Sequence, residues 1–136
     1  DADINVMANY IFGLPTDTHE SMRKTQDLAL DLATLGWNGY SAMPLPGSQL
    51  YKDAIEAGYE LPDDYEGYSF HAYNTTPIPT DNLTSKEILK FRDDSYLEYH
   101  QSEKFLSKVR KKYGQESVDN ILENCKIKLK RKILGD

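Results

Sequence analysis

The spacing of apolar and polar residues predicts strands and helices that alternate along the first part of the chain. Residues 4–12, INVMANYIF, are almost continuously apolar, which is typical of a parallel strand that is covered on both faces. Apolar residues then recur at helical spacing over residues 22–35, and Gly36 follows as a helix end. Residues 37–43 predict a second short strand, and residues 48–58 predict a short helix.

This order has consequences for topology. A strand, a helix and another strand within about forty residues predict parallel pairing through a right-handed crossover. Two strands alone would leave the edges of the sheet open, so we expect further strands upstream and interpret residues 1–58 as part of a longer chain. The predicted fold class is therefore α/β.

The rest of the chain divides into two further segments. Residues 59–83 are rich in Tyr and Pro, which predicts a connecting segment that lies over a surface. Residues 84–136 predict an all-helical extension. Its first helix begins with a capping box of Thr84 and Glu87. Its last helix is predicted to run through Leu129.

Charge is distributed unevenly. The formal net charge is −6, but residues 104–136 carry ten Lys or Arg and only four Asp or Glu. This basic end could bind an acidic partner, a membrane surface or nucleic acid. The favoured explanation is a solvated helix face with lysines in the last turns, where the helix dipole stabilises them. The aromatic residues lie among acids, which argues against base stacking and makes nucleic acid an unfavoured partner.

Cysteine content and hydropathy limit the function classes. Cys125 is the only cysteine, so the chain has no internal disulfide and no metal site built from thiolates, and a cytoplasmic location is the default. No apolar run approaches the ~20 residues that span a bilayer. Cys125 falls on an apolar stripe and is interpreted as a buried small hydrophobe.

A motif at the end of the first strand suggests a binding site. Ligands of parallel sheets bind beyond the carboxyl ends of the strands. Gly13 lies at that edge, Pro15 fixes the exit of the chain, and a capped helix follows with free backbone N–H groups. MPLPGS, residues 43–48, repeats the arrangement after the second strand. A Gly-x-Pro turn also occurs as a plain connection.

Two longer motifs carry a family resemblance. YIFGLPTDTHESMRKTQDLALDL, residues 10–32, and YSAMPLPGSQLY, residues 40–51, resemble the late strands of radical S-adenosylmethionine enzymes. The resemblance is strongest to the branch that also carries a cobalamin-binding domain, which includes methyltransferases and anaerobic magnesium-protoporphyrin ester cyclases. It is specific over residues 4–58 and looser over residues 59–136.

The resemblance implies a fold and a function. It implies the late β/α units of a partial (β/α)6 barrel, with S-adenosylmethionine and a 4Fe–4S cluster as cofactors of the parent enzyme and cobalamin as a further cofactor upstream. The parent would act on a small-molecule substrate, whereas this chain alone would be inactive because the cluster loop is absent. The residues that would contact the adenosyl group are Ile11, Gly13, Leu14, Pro15, Tyr40, Ser41, Ala42 and Met43.

This sequence departs from one common family pattern, Gly-x-Ile-x-Gly-x-x-Glu. Asn9 replaces the first glycine, and Thr16 stands at the position of the acid. Asp17 matches the acid of the Gly-x-Pro version of the motif. It is favoured as the cap of the following helix, with Glu20 completing a capping box, over a ligand contact.

Tyr10, His71 and Tyr73 are further candidates, for contact with substrate. Tyr10 and Tyr40 lie near strand ends and would either pack in the core or face the interior of the barrel. His71 and Tyr73 lie in the Tyr-rich segment, where His71 could face substrate or simply bond backbone. His19 and His100 are expected to be exposed and packed, respectively. The alternative to the enzyme is a non-enzymatic α/β module whose basic helices bind an acidic partner or nucleic acid.

Overall fold

The computed structural model describes residues 4–136 and has a mixed α/β architecture. The predicted α/β class and the strand–helix–strand order are confirmed. The helices and strands, in chain order, are β1 (Met7–Phe12), α1 (His19–Leu32), β2 (Gly36–Ser41), α2 (Gln49–Glu56), α3 (Ser85–His100), α4 (Glu103–Tyr113) and α5 (Gln115–Cys125). Short 3₁₀ turns lie at Glu66–Tyr68 and Lys132–Leu134.

The two strands form a parallel sheet in which Met7 lies beside Gly36 and Phe12 beside Ser41. Alternate side chains of parallel strands point to opposite faces. On one face, Tyr10, Phe12 and Trp37 are buried in the main hydrophobic cluster with residues of α1 and α3. This face holds the core of the protein.

The other face of the sheet is largely open. Met7 and Ile11 are 61% and 49% exposed, and Asn9 is exposed between them. The prediction that β1 is covered on both faces is therefore wrong for residues 4–136, because the helices that pack on this strand lie on one side only. Within these residues the sheet has two strands, so the finer expectation of a barrel goes beyond what this chain contains.

Helix α1 begins one residue later than the capping-box prediction requires. Thr18 is the N-cap: its hydroxyl accepts the N–H of Ser21, and the hydroxyl of Ser21 accepts the N–H of Thr18. The prediction of Asp17 as the cap is wrong, because its carboxylate is used by the preceding turn. The helix ends at Ala33 in the left-handed conformation, and Gly36 already belongs to β2.

Fewer apolar residues of α1 are buried than the sequence pattern predicts. Met22 and Ala29 are fully buried, whereas Leu28 and Leu32 are 53% and 48% exposed. Gln26 takes a buried position on the packed side, where its amide donates to the carbonyl of Ser95 at 3.0 Å. A polar residue that finds a partner can thus occupy a core position.

Helix α3 confirms the clearest sequence signal. The carboxylate of Glu87 accepts the N–H of Thr84 at 2.8 Å, and the Thr84 hydroxyl accepts the N–H of Glu87 at 3.3 Å. Leu83 and Ile88, on either side of the cap, are both buried in the core cluster. The helical extension is thus anchored directly to the sheet.

The basic end of the chain has no α-helix after residue 125, only a 3₁₀ turn at Lys132–Leu134. Helix α5 ends at Cys125, so the prediction of a helix through Leu129 is wrong, as is the explanation of the terminal lysines as a helix face. The segment after α5 folds back on the protein, where the N–H of Lys132 donates to the carbonyl of Tyr73 at 2.8 Å. No helix in residues 4–136 is long and apolar enough to cross a bilayer.

Candidate functional site

A cavity of about 440 Å³ lies at the carboxyl ends of β1 and β2. We call it the strand-end pocket. It is lined by Ile11, Leu14, Tyr40, Ser41, Ala42, Met43, Leu45, Leu50, Tyr68, Ser69 and Phe70. Its position agrees with the general rule that ligands of parallel sheets bind beyond the carboxyl ends of the strands.

Six of the eight residues expected to contact an adenosyl group line this pocket. They are Ile11, Leu14, Tyr40, Ser41, Ala42 and Met43. The parallel register brings the residues from the end of β1 and those from the end of β2 together. Ile11 lies directly beside Tyr40 and therefore on the same face of the sheet. Gly13 and Pro15, the other two, do not line the pocket.

The far wall of the pocket comes from residues that the sequence did not single out. Leu45 and Leu50 follow β2, while Tyr68, Ser69 and Phe70 belong to the Tyr-rich segment. The Phe70 ring packs edge-on against Tyr40, with 5.1 Å between ring centroids. The composition of residues 59–83 predicted a segment lying over a surface, but it did not indicate which surface.

The lining of the pocket is chiefly apolar, and the one unpartnered buried hydroxyl near it belongs to Ser41. Ser41 is 4% exposed, and its hydroxyl has no hydrogen-bond partner among residues 4–136. Ser41 lies beside Phe12 in the sheet, so its side chain points to the core face, opposite to Ile11 and Tyr40, and its hydroxyl does not face the pocket. An apolar cavity with few polar groups is the usual form of a small-molecule site.

The turn after β1 has a structural role. Gly13 adopts a φ of +81°, and the N–H groups of Gly13 and Leu14 both donate to one carboxylate oxygen of Asp17, at 2.9 Å each. A Cβ on Gly13 would lie 2.5 Å from Cγ2 of Ile88 in α3. Gly13 is therefore required because helix α3 of the same chain approaches it closely. The N–H groups of Gly13 and Leu14 are not free for a ligand, since both already donate to Asp17.

None of the three candidate substrate residues lines the strand-end pocket. Tyr10 points to the opposite face of the sheet from Tyr40 and packs beside Trp37, and burial raises the pKa of its phenol. His71 and Tyr73 are exposed. The Tyr73 hydroxyl donates to the carbonyl of Asp136 at 3.1 Å, so it fastens the end of the chain.

The remaining histidines and the cysteine lie where the sequence indicated. His19 is exposed in the first turn of α1, and His100 packs among Tyr96, Tyr99 and Phe105. Cys125 is buried, and burial raises the pKa of its thiol. Within residues 4–136, no three His, Cys, Asp or Glu side chains lie close enough together to hold a metal ion.

Comparison with known proteins adds no family to this description. No protein-family model, no curated protein and no solved structure matches the chain.

Proposed function

We propose that this chain is the carboxyl-terminal part of a radical S-adenosylmethionine enzyme and that the strand-end pocket forms part of its adenosyl site. The observation that carries the proposal is spatial. The resemblance named residues on two separate strands, and Ile11, Leu14, Tyr40, Ser41, Ala42 and Met43 share one cavity at the carboxyl ends of those strands.

The chemistry of the pocket suits an adenosyl group. A nucleoside offers a flat ring that is bound by apolar and aromatic surfaces, together with polar atoms that need a few partners. Ile11 and Met43 provide apolar contact surface, and Tyr40 provides an aromatic ring. The role of this chain would be to hold and orient the nucleoside and to exclude water around it.

The open face of the sheet supports the same proposal. Met7 and Ile11 are apolar and exposed on the face that α1 and α3 leave uncovered. In a (β/α) barrel the helices cover the outside, and alternate strand residues point inward. Upstream strands of the parent would extend this sheet, and its open face would then line the interior of the barrel.

The parent would contribute the groups that this chain lacks. With a single cysteine, the chain cannot provide the thiolates that hold a 4Fe–4S cluster. When bound, the cluster and S-adenosylmethionine would supply a 5′-deoxyadenosyl radical to the substrate. Methyl transfer and oxidative cyclisation, with cobalamin bound upstream, are the reaction types that we propose for the parent.

An assay of the parent enzyme tests the proposal. The parent is purified without oxygen, reconstituted with iron and sulfide, and assayed for 5′-deoxyadenosine released from S-adenosylmethionine. Ile11→Lys places a charge in the pocket and should raise KM for S-adenosylmethionine about tenfold or more. Leu28→Lys is the matched control, because Leu28 is 53% exposed, close to the 49% of Ile11, and lies on α1 away from the pocket.

The outcomes separate clearly. Release of 5′-deoxyadenosine with a raised KM in Ile11→Lys alone, at unchanged iron content, supports the proposal. A parent that holds no cluster and cleaves no S-adenosylmethionine would overturn it. Equal kinetics in the two variants would remove the strand-end pocket from the adenosyl site.

A further inference from the structure

A second cavity, of about 610 Å³, lies between α3 and the chain after α5. We call it the tail cavity. Its volume is within the range of ordinary small-molecule sites. It is distinct from the strand-end pocket, since the two share no lining residue.

The tail cavity has an apolar part. Leu97 from α3, and Ile127, Leu129 and Leu134 from the chain after α5, line it together. Ile127 and Leu129 are 68% and 39% exposed, although they face a concave surface. Exposed aliphatic side chains beside a cavity lose contact with water when an apolar body binds there, and this favours binding.

The rim of the tail cavity is rich in cations. Lys86, Lys90, Arg92, Lys126 and Lys128 line it, against the carboxylates of Asp93, Asp94 and Asp136. Each of these carboxylates already has a cationic partner: Asp94 pairs with Lys90, Asp136 with Lys128, and Asp93 with both Arg92 and Arg131.

One lysine of this rim is available. Lys86 forms no ion pair among residues 4–136, and Lys126 is paired only with Glu123, which does not line the cavity. The lysines and the arginine of the lining therefore outnumber its carboxylates, five to three, in a cavity that also has an apolar part. A group that combines negative charge with an apolar body satisfies both features.

We propose that the tail cavity binds a small organic anion with an apolar body, such as a fatty carboxylate. The apolar body would lie against Leu97, Ile127 and Leu134, and the anionic group would lie near the lysines of the lining, of which Lys86 has no ion pair within residues 4–136. Nucleic acid fits less well, because its charge is spread along a backbone whereas this positive charge surrounds a single concave apolar site. The proposal is independent of the adenosyl site.

A pair of fluorescent probes tests the contribution of the negative charge separately from that of the apolar body. 8-Anilinonaphthalene-1-sulfonate and N-phenyl-1-naphthylamine share an aromatic body, but only the first carries a negative charge. Both are titrated against the 136-residue chain, and methyl NMR shifts of Leu97, Leu129 and Leu134 report where they bind. Laurate, a fatty carboxylate, is then used to displace the sulfonate.

Matched variants test the role of the lysines. Lys86→Gln combined with Lys126→Gln removes one unpaired and one ion-paired lysine from the rim. Lys111→Gln combined with Lys24→Gln is the control, because Lys24 is ion-paired with Glu20 and Lys111 forms no ion pair within residues 4–136. Net charge changes equally in the two double variants.

We expect saturable one-to-one binding of the sulfonate, displacement by laurate, and about tenfold weaker binding of the neutral probe. The rim variant should weaken sulfonate binding roughly fivefold, whereas the control variant should not. Equal affinity for the two probes, or equal loss in the two variants, would overturn the proposal. So would methyl shifts confined to other leucines, or tight binding of an acidic peptide or nucleic acid that laurate does not displace.

Discussion

Arg131 and Asp93 form a two-point ion pair in which the guanidinium donates to both carboxylate oxygens, at 2.8 and 2.9 Å. The side chain of Arg131 is fully buried, and that of Asp93 is 21% exposed. The pair joins the end of the chain to α3, and Arg131 also donates to the carbonyl of Ala72 at 3.0 Å. It fastens three separate segments to one another.

Removal of Asp93 should destabilise the protein strongly, because it leaves a buried guanidinium without its counter-ion. We expect Asp93→Ala to lower the free energy of unfolding by about 3 kcal/mol. Asp94→Ala is the control, since the neighbouring pair of Asp94 and Lys90 is more than half exposed and should contribute less than about 1 kcal/mol. Urea unfolding followed by circular dichroism measures both. Equal losses would show that the buried pair has no special role.

Gly13 should tolerate a side chain poorly, for two reasons that can be separated. Gly13→Ala places a Cβ in a left-handed conformation and 2.5 Å from Ile88, so we expect a loss of about 2–3 kcal/mol. Gly47 has a similar φ of +88° but no atom within 4 Å of the added Cβ, so Gly47→Ala should cost about 1 kcal/mol. Thermal unfolding of the two variants compares them. A loss at Gly13 no larger than that at Gly47 would contradict the contact with α3.

Stability should fall on mild acidification because of His100. Burial, with a smaller effect from the Arg92 charge, lowers the pKa of this histidine, while its hydrogen bond to the Tyr96 carbonyl opposes the shift. The unfolded chain takes up a proton near pH 6.5, whereas the folded chain does so only at lower pH. Between these values the unfolded state binds more protons, so stability rises with pH and is lost as the pH falls below about 6.5.

Urea unfolding between pH 7.5 and pH 5 checks this expectation. The stability of His100→Gln should depend less on pH over this range than that of the parent sequence. The pKa of His71 is lowered too, by partial burial and by the charges of Arg92 and Arg131, but His71 is more exposed than His100. His71→Gln should therefore remove a smaller part of the slope. An unchanged slope in His100→Gln would show that His100 is not the group responsible.

The sequence predicted those parts of the fold that depend on local signals. Thr84 and Glu87 form the predicted cap because both bonds lie within one turn of the chain. The sequence predicts the start of α1 one residue early, because Asp17 and Thr18 are both good N-cap residues. Thr18 is the N-cap in the structure because the Asp17 carboxylate accepts hydrogen bonds from the turn at Gly13. Local pattern alone could not resolve that competition.

The parts of the fold and of the site that the sequence did not predict depend on contacts between residues that are distant along the chain. The pattern of the lysine-rich end predicts an α-helix. Instead, Arg131 bonds to Asp93 and to the carbonyl of Ala72, and these bonds fix the segment after α5 against the protein. In the candidate site, the strand residues could be named from the motif. Phe70 could not, since its contact with Tyr40 joins positions thirty residues apart, and no local pattern in the Tyr-rich segment indicates that contact.

Photochemical labelling of the parent enzyme tests the central claim most directly. An 8-azidoadenosyl analogue of S-adenosylmethionine is bound without oxygen and irradiated, and the labelled residues are mapped by peptide mass spectrometry. We predict labels at residues 11–14 or 40–45 that excess S-adenosylmethionine abolishes. Competed labelling that occurs only outside these two segments would contradict the assignment of the strand-end pocket to the adenosyl group.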